Sequence, residues 1–200
     1  MAGVLLAAGE GSRFGRPKAL VEFDGVTLVQ RGVDLLRAGG ADPILLVTGA
    51  APVQLSGTRS VDNPDWRTGM GSSLRAALRA AGGEDIGAVV VALADQPLIG
   101  AQAVTRLIAA YHAGATVAVA AYDGRPRNPV LLAREHWPEV VAMATGDQGA
   151  RPFLRARPDL VTLVECADTG RPDDIDTPAD LERAAGRLRT NDRPGCPRCG

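Results

Sequence analysis

Short apolar runs alternate along this chain with segments whose apolar residues recur at helical spacing. The apolar runs occupy residues 3–8, 44–48, 86–94, 115–122 and 160–165, with a weaker one at 58–62. Helical periodicity or helix-capping residues mark 28–38, 72–81, 101–113 and the segment that follows Thr177. A helix between two short apolar runs is the βαβ pattern of a mostly parallel sheet. The sequence therefore predicts an α/β fold.

Length and composition fit one domain followed by a short tail. The chain has 200 residues, of which 46% are apolar, with 24 glycines and 14 prolines, as suits one compact α/β domain. From Arg187 onward the sequence turns polar and proline-rich. We therefore expect a domain at 1–188 and a disordered tail at 189–200. The tail holds a C-x-x-C pair, Cys196 and Cys199, too few ligands for a structural zinc site, and metal capture or redox pairing are the alternatives.

The charge balance favours a small-molecule partner. A net charge of −1, from 22 basic and 23 acidic residues, gives no global attraction to nucleic acid or to a membrane surface. No apolar run reaches the roughly 18 residues of a membrane span. The N-terminal run stops at Gly9, which argues against a signal peptide. We expect a cytoplasmic protein with no nucleic-acid or membrane partner.

The N-terminal run leads into a loop of small residues flanked by two cations. Residues 3–18 read Gly-Val-Leu-Leu-Ala-Ala-Gly-Glu-Gly-Ser-Arg-Phe-Gly-Arg-Pro-Lys. Glycine and alanine let backbone N–H groups approach a phosphate, and Arg13 and Lys18 supply positive charge. The spacing fits neither the P-loop nor the dinucleotide fingerprint, since Lys18 follows a proline and Phe14 replaces the third glycine. The loop is either another kind of anion cradle or an ordinary strand-to-helix turn.

A second loop of small and hydroxyl residues occupies 63–74 and opens a helix. Ser72 or Ser73 lies near the start of that helix, where free N–H groups favour an anion or a polar base edge. The alternative is a capped helix start that binds nothing.

Acidic residues follow the most apolar run and precede the last helix. Asp95 comes directly after the run at 86–94, and ligands of open α/β sheets gather at the carboxyl ends of the strands. A carboxylate there costs desolvation unless a cation meets it, and Mg²⁺ prefers hard oxygen ligands together with phosphate oxygens. Asp95 is therefore the first candidate for a metal ligand. Asp173, Asp174 and Asp176 would repel one another without a cation, unless they form a solvated acidic turn that caps the helix.

Residues 3–18 resemble the signature L-A-A-G-x-S/G-x-R-[FM]-G-x-x-K of the MobA-like NTP transferase family, within the GT-A-type sugar and alditol nucleotidyltransferases. Further segments resemble family motifs at 63–74, 95–97, 145–154 and 174–178, so that the likeness spans about residues 3–185. It implies a single-domain Rossmann-like three-layer sandwich with a mostly parallel central sheet, the GT-A-type nucleotidyltransferase fold. It also implies transfer of a nucleoside monophosphate from an NTP to a phosphorylated acceptor, with release of pyrophosphate.

The resemblance implies roles for individual residues. Arg13, Lys18 and Asp95 are the implied catalytic residues, and Mg²⁺ is held by Asp95 and Asp176. The implied nucleotide site comprises Leu6, Ala7, Ala8, Gly9, Gly11, Ser12, Arg13, Lys18, Gly71, Ser72 and Asp95. The implied acceptor site comprises Gln96, Arg127, Asn128 and Asp147. Asn128 replaces the histidine that the family usually has, and Asp147 has an alternative role as the cap of a helix that begins there.

The substrates follow from the same likeness. Ala7-Ala8-Gly9 resembles the branch that uses CTP on molybdopterin-type acceptors, which implies a molybdenum cofactor cytidylyltransferase whose product passes to a molybdoenzyme. A cytidylyltransferase acting on a polyol or sugar phosphate is a second enzymatic candidate. A non-catalytic chaperone that binds a nucleotide or cofactor is the alternative class, against which the intact Lys18, Asp95 and Asp176 argue.

Overall fold

A seven-stranded sheet with helices on both faces forms the body of the protein. The computed structural model describes residues 1–191, and the tail cysteines Cys196 and Cys199 lie outside them. The strands are β1 (Ala2–Leu6), β2 (Glu22–Phe23), β3 (Val26–Thr27), β4 (Ile44–Thr48), β5 (Thr58–Asp62), β6 (Ala88–Leu93), β7 (Val117–Tyr122), β8 (Arg125–Ala133) and β9 (Val161–Glu165). The helices are α1 (Leu28–Ala38), α2 (Met70–Gly82), α3 (Ala101–His112), α4 (Trp137–Met143), α5 (Arg151–Ala156) and α6 (Pro178–Asn191).

The strand order is β5-β4-β1-β6-β8-β7-β9, and β8 is the one strand of this sheet that runs against its neighbours. The predicted α/β sandwich with a mostly parallel sheet is confirmed. β1, β4 and β7 are buried along their whole length, and β6 along all but its last residue. Parallel strands covered on both faces require such continuous apolar runs, which explains why the sequence revealed them so clearly. The edge strands β5 and β9 are largely exposed.

Two apolar layers cover the sheet. On one face, Leu74 of α2 and Trp137 of α4 pack against the sheet core. On the other, Val33 of α1 and Leu107 of α3 do the same. Of these helices, α1, α2 and α3 were predicted from the sequence, and each buries one apolar stripe on the sheet.

A third, smaller core joins the N-terminal loop to the end of the chain. Phe23 in the β2–β3 hairpin and Leu28 at the start of α1 pack with Ile175 and Ala184, all four being buried. This contact brings the acidic segment before α6 beside the loop that follows β1. Residues more than 150 positions apart thus share one edge of the molecule.

Helix-start chemistry predicted from the sequence is also present. The Thr27 hydroxyl accepts a hydrogen bond from Gln30 N at 3.3 Å, and the Thr177 hydroxyl accepts one from Asp180 N at 3.2 Å. Such caps satisfy N–H groups that a helix leaves free. Over the described part of the chain, no helix combines the length and the apolar character that crossing a membrane demands.

Candidate active site

A cavity of about 290 Å³ opens where β1 and β6 end. Leu6 at the end of β1 and residues 7–10 of the loop after it line the cavity, as do Trp66, Arg67, Gly69 and Met70 around the start of α2. Lys18, Asp95 and Asp147 also line it. The carboxyl edge of a parallel sheet is where open α/β folds bind ligands, and the volume is near the lower end of small-molecule sites, roughly 300 Å³.

Lys18 binds two carboxylates that come from distant parts of the chain. Its Nζ donates to Asp95 Oδ2 at 2.8 Å and to Asp176 Oδ1 at 2.6 Å. It is the only lysine in a chain that otherwise uses arginine for its strong bases. Burial lowers the pKa of Lys18, and the negative charges of Asp95 and Asp176 outweigh that effect, so that the pKa lies above its ordinary value. The ammonium therefore stays charged at neutral pH, set against two negative charges.

The donor set around Asp95 fits a divalent cation. Asp95 Oδ1 is buried and has no hydrogen-bond partner among the described residues, although an unpaired buried acceptor is costly. The side chain of Asp176 is 49% exposed. Within residues 1–191 no cluster of three or more His, Cys, Asp or Glu is arranged to hold a metal. Two carboxylates with room for phosphate oxygens are the set that Mg²⁺ commonly uses.

Two glycines of the loop after β1 have different tasks. Gly11 has a φ of +65°, and a Cβ there would lie 2.3 Å from Arg16 O and 2.6 Å from Lys18 N. Only glycine allows the loop to close this tightly around Lys18. A Cβ on Gly9 would meet no heavy atom within 4 Å. Gly9 thus leaves its backbone open to the cavity, as a phosphate-binding loop requires.

The implied nucleotide residues divide into those that line the cavity and those that support it. Leu6, Ala7, Ala8, Gly9, Lys18 and Asp95 line it, whereas Gly11, Ser12, Arg13, Gly71 and Ser72 do not. Arg13 is exposed in a 3-10 turn at Ser12–Phe14. The Ser72 hydroxyl is buried and accepts a hydrogen bond from Asn63 Nδ2 at 2.8 Å. Of the two serines, Ser73 faces the cavity.

Trp66 and Arg67 belong to the second loop of small residues and are not among the individual site residues that the resemblance implies. Trp66 and Arg67 both line the cavity, and the Arg67 guanidinium lies 4.2 Å from the centre of the Trp66 ring. A cation over an aromatic face is attracted by the ring quadrupole. The sequence contains a signal for this pair, since a tryptophan and an arginine stand next to each other within a loop of small residues.

Asp147 reaches across to a different helix from the one expected. Its Oδ1 accepts a hydrogen bond from Met70 N at 3.4 Å, at the start of α2. Helix α5 begins at Arg151 and has no side-chain cap. The alternative role of Asp147, as the cap of a helix that begins there, is therefore wrong, because the close approach of Gly69 to the 146–147 backbone presents the start of α2 to it. Asp147 does line the cavity.

The other implied acceptor residues do not line the cavity. Gln96 is buried, and its Nε2 donates to Asp174 Oδ1 at 2.8 Å. Burial raises the pKa of Asp174, and the negative charge of Asp95 adds to the rise. Arg127 and Asn128 lie on β8 beyond its last pair with β6, Val91 with Val130. Since β8 runs antiparallel, this places them at the same edge of the sheet as the cavity.

The chain is similar to known proteins over most of its length. A family model described as "MobA-like NTP transferase domain" matches residues 3–161. The chain is 38% identical over 195 residues to the nicotine blue oxidoreductase of Paenarthrobacter nicotinovorans, covering 90% of this chain and 94% of that protein. It is 31% identical over 202 residues to the molybdenum cofactor guanylyltransferase of Rhodobacter capsulatus, covering 96% and 98%.

Solved structures of similar proteins share the fold over nearly the whole chain. A homologue of Mycobacterium tuberculosis Rv0371c from Mycobacterium sp. strain JC1 gives a TM-score of 0.79 at 29% identity, covering 96% of this chain and 98% of that one. Rv0371c from Mycobacterium tuberculosis H37Rv, in complex with manganese, gives a TM-score of 0.74 at 27% identity, covering 92% and 96%.

Proposed function

The chain belongs to the MobA-like NTP transferase family, and from this premise we propose that it is a nucleotidyltransferase that moves a nucleoside monophosphate from an NTP to a phosphorylated small-molecule acceptor. The observation that carries the proposal is the single lysine held between Asp95 and Asp176 beside a glycine-lined cavity. A catalytic lysine, two convergent carboxylates and an open backbone loop are the parts that phosphate chemistry uses.

The reaction is an in-line displacement at the α-phosphorus. An acceptor phosphate oxygen forms a bond to that phosphorus while the bond to the bridging oxygen of the β-phosphate breaks, and pyrophosphate leaves with the electron pair. A phosphate monoester is already anionic near neutral pH, so the site needs no strong general base. Positioning and charge neutralisation then supply the rate.

Each part of the site has a task in this reaction. Backbone N–H groups of the open loop at Gly9 donate hydrogen bonds to phosphate oxygens, and the Lys18 ammonium stabilises negative charge on the departing pyrophosphate. Asp95 and Asp176 would hold a divalent ion, Mg²⁺ or Mn²⁺, and the free Oδ1 of Asp95 favours this assignment. Such an ion, when bound, neutralises phosphate charge. Arg13, in the exposed turn of the loop, is proposed to reach the triphosphate from outside the cavity.

For the substrates we propose CTP and a molybdopterin-type acceptor, with a molybdoenzyme receiving the product. Support comes from Ala7-Ala8-Gly9, which resembles the CTP-using branch, and from the molybdenum cofactor enzyme among the relatives. That relative is named a guanylyltransferase, so GTP is the competing nucleotide. Arg127, Asn128 and Asp147 are the proposed acceptor contacts.

The test is pyrophosphate release with each of the four NTPs, Mg²⁺ or Mn²⁺, and a molybdopterin extract. We expect release with CTP, together with thermal stabilisation by CTP and metal, since a ligand of the native state raises apparent stability. Asp95→Asn should abolish release. Asp85→Asn is the matched control, because exposed Asp85 lies just before the other end of β6. No pyrophosphate with any nucleotide would contradict the proposal.

A second candidate is an oxidoreductase, favoured by the 38% identity to nicotine blue oxidoreductase. A reduced nicotinamide dinucleotide would bring a pyrophosphate to the same loop. The test is oxidation of that cofactor in the presence of an oxidised heteroaromatic dye and absence of NTP. Dye-dependent oxidation without any pyrophosphate release would favour this candidate over the transferase.

A further inference from the structure

Backbone contacts join residues 95–100 to residues 169–176. We call these two segments and the contacts between them the clasp. Its contacts are Ile175 N to Asp95 O at 2.8 Å, Arg171 N to Leu98 O at 2.9 Å and an antiparallel bridge between Ile99 and Gly170. The clasp explains why a segment so late in the chain returns to the end of β6. It carries Asp176 to the position opposite Asp95.

Gln96 supplies the side-chain part of the clasp. It is 4% exposed, and its Nε2 donates to Asp174 Oδ1 at 2.8 Å and to Pro172 O at 3.3 Å. Pro172 and Asp174 lie between Arg171 and Ile175, whose N–H groups make the two backbone bonds of the clasp. Among the described residues, the backbone between those two bonds makes no further backbone hydrogen bond to residues 95–100. The Gln96 amide thus fixes the stretch that immediately precedes Asp176.

Helix α6 holds Asp176 from its other side. Asp180 Oδ2 accepts hydrogen bonds from the N–H groups of Asp176 at 3.2 Å and Thr177 at 2.7 Å. The side chain of Asp176 itself is 49% exposed and contacts Lys18. The position of Asp176 therefore depends on the backbone before it and after it, and Gln96 fixes the segment before it.

We propose that Gln96 is a positioning residue whose amide fixes Asp174 and thereby sets Asp176 opposite Asp95, so that the carboxylate pair binds a divalent cation tightly. This inference rests on the proposed function. It reassigns Gln96, which the family resemblance placed among the acceptor contacts, and whose amide is directed to Asp174 instead of the cavity. Groups that orient metal ligands in this way typically change metal affinity or activity by roughly 10- to 100-fold when they are replaced.

The first test replaces the amide by an apolar side chain of similar length. Gln96→Met should weaken Mn²⁺ binding in the presence of CTP by about tenfold or more, measured from the electron paramagnetic resonance signal of free Mn²⁺. The KM for the acceptor should stay unchanged, because Gln96 does not touch it. Gln102→Met is the matched control, since Gln102 is exposed on α3, and its Mn²⁺ affinity should equal that of the unchanged chain.

The second test exchanges the two partners. Gln96→Glu alone should weaken Mn²⁺ binding, because two carboxylates would then face each other. Gln96→Glu combined with Asp174→Asn restores an amide–carboxylate pair at the same net charge, and should recover most of the Mn²⁺ affinity. A purely local packing role for Gln96 gives no reason for this recovery.

The outcomes separate the inference from the proposed function. If the unchanged chain binds Mn²⁺ and releases pyrophosphate while Gln96→Met does the same with equal affinity, the inference is wrong and the proposed function stands. A folded double variant that stays as weak as Gln96→Glu, or an acceptor KM raised by Gln96→Met, also overturns it. If the unchanged chain binds no Mn²⁺ and releases no pyrophosphate, the proposed function fails, and the inference with it.

Discussion

The two halves of the candidate site differ in how far their polar groups are already paired. In the nucleotide half, built from the loop after β1 and the end of β6, Lys18 is held by Asp95 and Asp176 at 2.8 and 2.6 Å. In the acceptor half that we propose, built from the start of β8 and residues 145–151, the Arg127 side chain is exposed and donates to the carbonyl of Pro126, its neighbour in sequence, at 3.2 Å. The charged groups of the nucleotide half are thus already paired with one another, whereas the Arg127 guanidinium of the acceptor half is exposed.

This difference matches the chemistry that each half would perform. The phosphates of every NTP are alike, so a rigid arrangement of charges serves them all and avoids reorganisation during the reaction. The acceptor, unlike the phosphates of the NTP, differs between the candidate transferases, and an exposed side chain such as that of Arg127 is free to adapt to it. Four tests, taken from the largest expected effect to the smallest, examine the contrast.

Removal of the lysine should have the largest effect. Lys18→Met should lower turnover at least about a hundredfold, because loss of one such charge typically raises the barrier by about 2–4 kcal/mol. Lys18→Arg should recover little, since a planar guanidinium does not fit where a compact ammonium bridges two carboxylates. Steady-state pyrophosphate release measures both.

Circular dichroism and thermal unfolding serve as the control for these variants, which should remain folded. Without the ammonium, Asp95 and Asp176 repel each other, so added Mg²⁺ should stabilise Lys18→Met more than it stabilises the unchanged chain. A folded Lys18→Met protein with near-normal turnover would contradict the prediction that the paired charges of this half are needed for the reaction.

Two glycines of the same loop give the next test. Gly11 and Gly15 have nearly equal φ values, +65° and +66°, but a Cβ on Gly11 would lie 2.3 Å from Arg16 O, whereas one on Gly15 would meet nothing within 4 Å. Gly15→Ala should cost only the left-handed backbone penalty, about 1–2 kcal/mol in the free energy of unfolding. Gly11→Ala should cost more and should lower turnover about tenfold as well, because the loop must open around Lys18.

Denaturant unfolding and turnover of the two variants, measured side by side, separate backbone strain from displacement of the lysine. Equal losses of activity in the two would show that the tight closure at Gly11 is not what positions Lys18.

The sequence revealed the nucleotide half better than the acceptor half for a physical reason. Local sequence patterns identify the loop after β1 and the acid at the end of β6, because buried parallel strands are recognisable as apolar runs and these residues follow such runs directly. In the acceptor half, the contact of Asp147 with Met70 N joins residues 77 positions apart, and the contact of Gln96 with Asp174, which supports the carboxylate pair, joins residues 78 positions apart. No local pattern encodes them, since they exist only once the sheet has placed both segments at one edge.

The same reasoning explains the division among the implied nucleotide residues. A motif marks which positions a loop needs, without separating those that touch a ligand from those that let the loop fold. Gly11 and Ser72 belong to the second kind, since one permits a close backbone approach and the other pairs with Asn63. Geometry was required to tell the two kinds apart.

Arg127→Ala tests the acceptor half directly. If this exposed guanidinium binds the phosphate of the acceptor, its loss should raise the KM for the acceptor by about tenfold or more, since a charge-assisted hydrogen bond contributes roughly 1.5–3 kcal/mol. The KM for the NTP should not change. Arg125→Ala is the matched control from the same strand end, being equally exposed. An equal rise in both KM values would mean that the two halves are not separate.

The smallest expected effect concerns the scaffold that presents Arg127. The Glu165 carboxylate accepts hydrogen bonds from Gly124 N at 3.1 Å and Asp123 N at 3.2 Å, in the turn between β7 and β8, and from Cys166 N and Ala167 N. These bonds, those from Gly124 and Ala167 foremost, hold the pKa of Glu165 below its ordinary value of 4.5. A depressed carboxyl pKa contributes stability that is present above that ordinary value and is lost as the pH falls through the folded-state pKa.

Glu165→Gln should therefore lower the Tm modestly at neutral pH, and the gap to the unchanged chain should close as the pH falls below about 4.5. Glu22→Gln, at an exposed position of β2, should show no such convergence. Differential scanning calorimetry across this pH range measures both. A gap that persists in acid would mean that the turn is held by packing instead of by the carboxylate. A gap that closes would show that the Glu165 carboxylate holds the turn before β8 in place, so that the exposed side chain of Arg127 need not hold the turn and is free to meet a substrate.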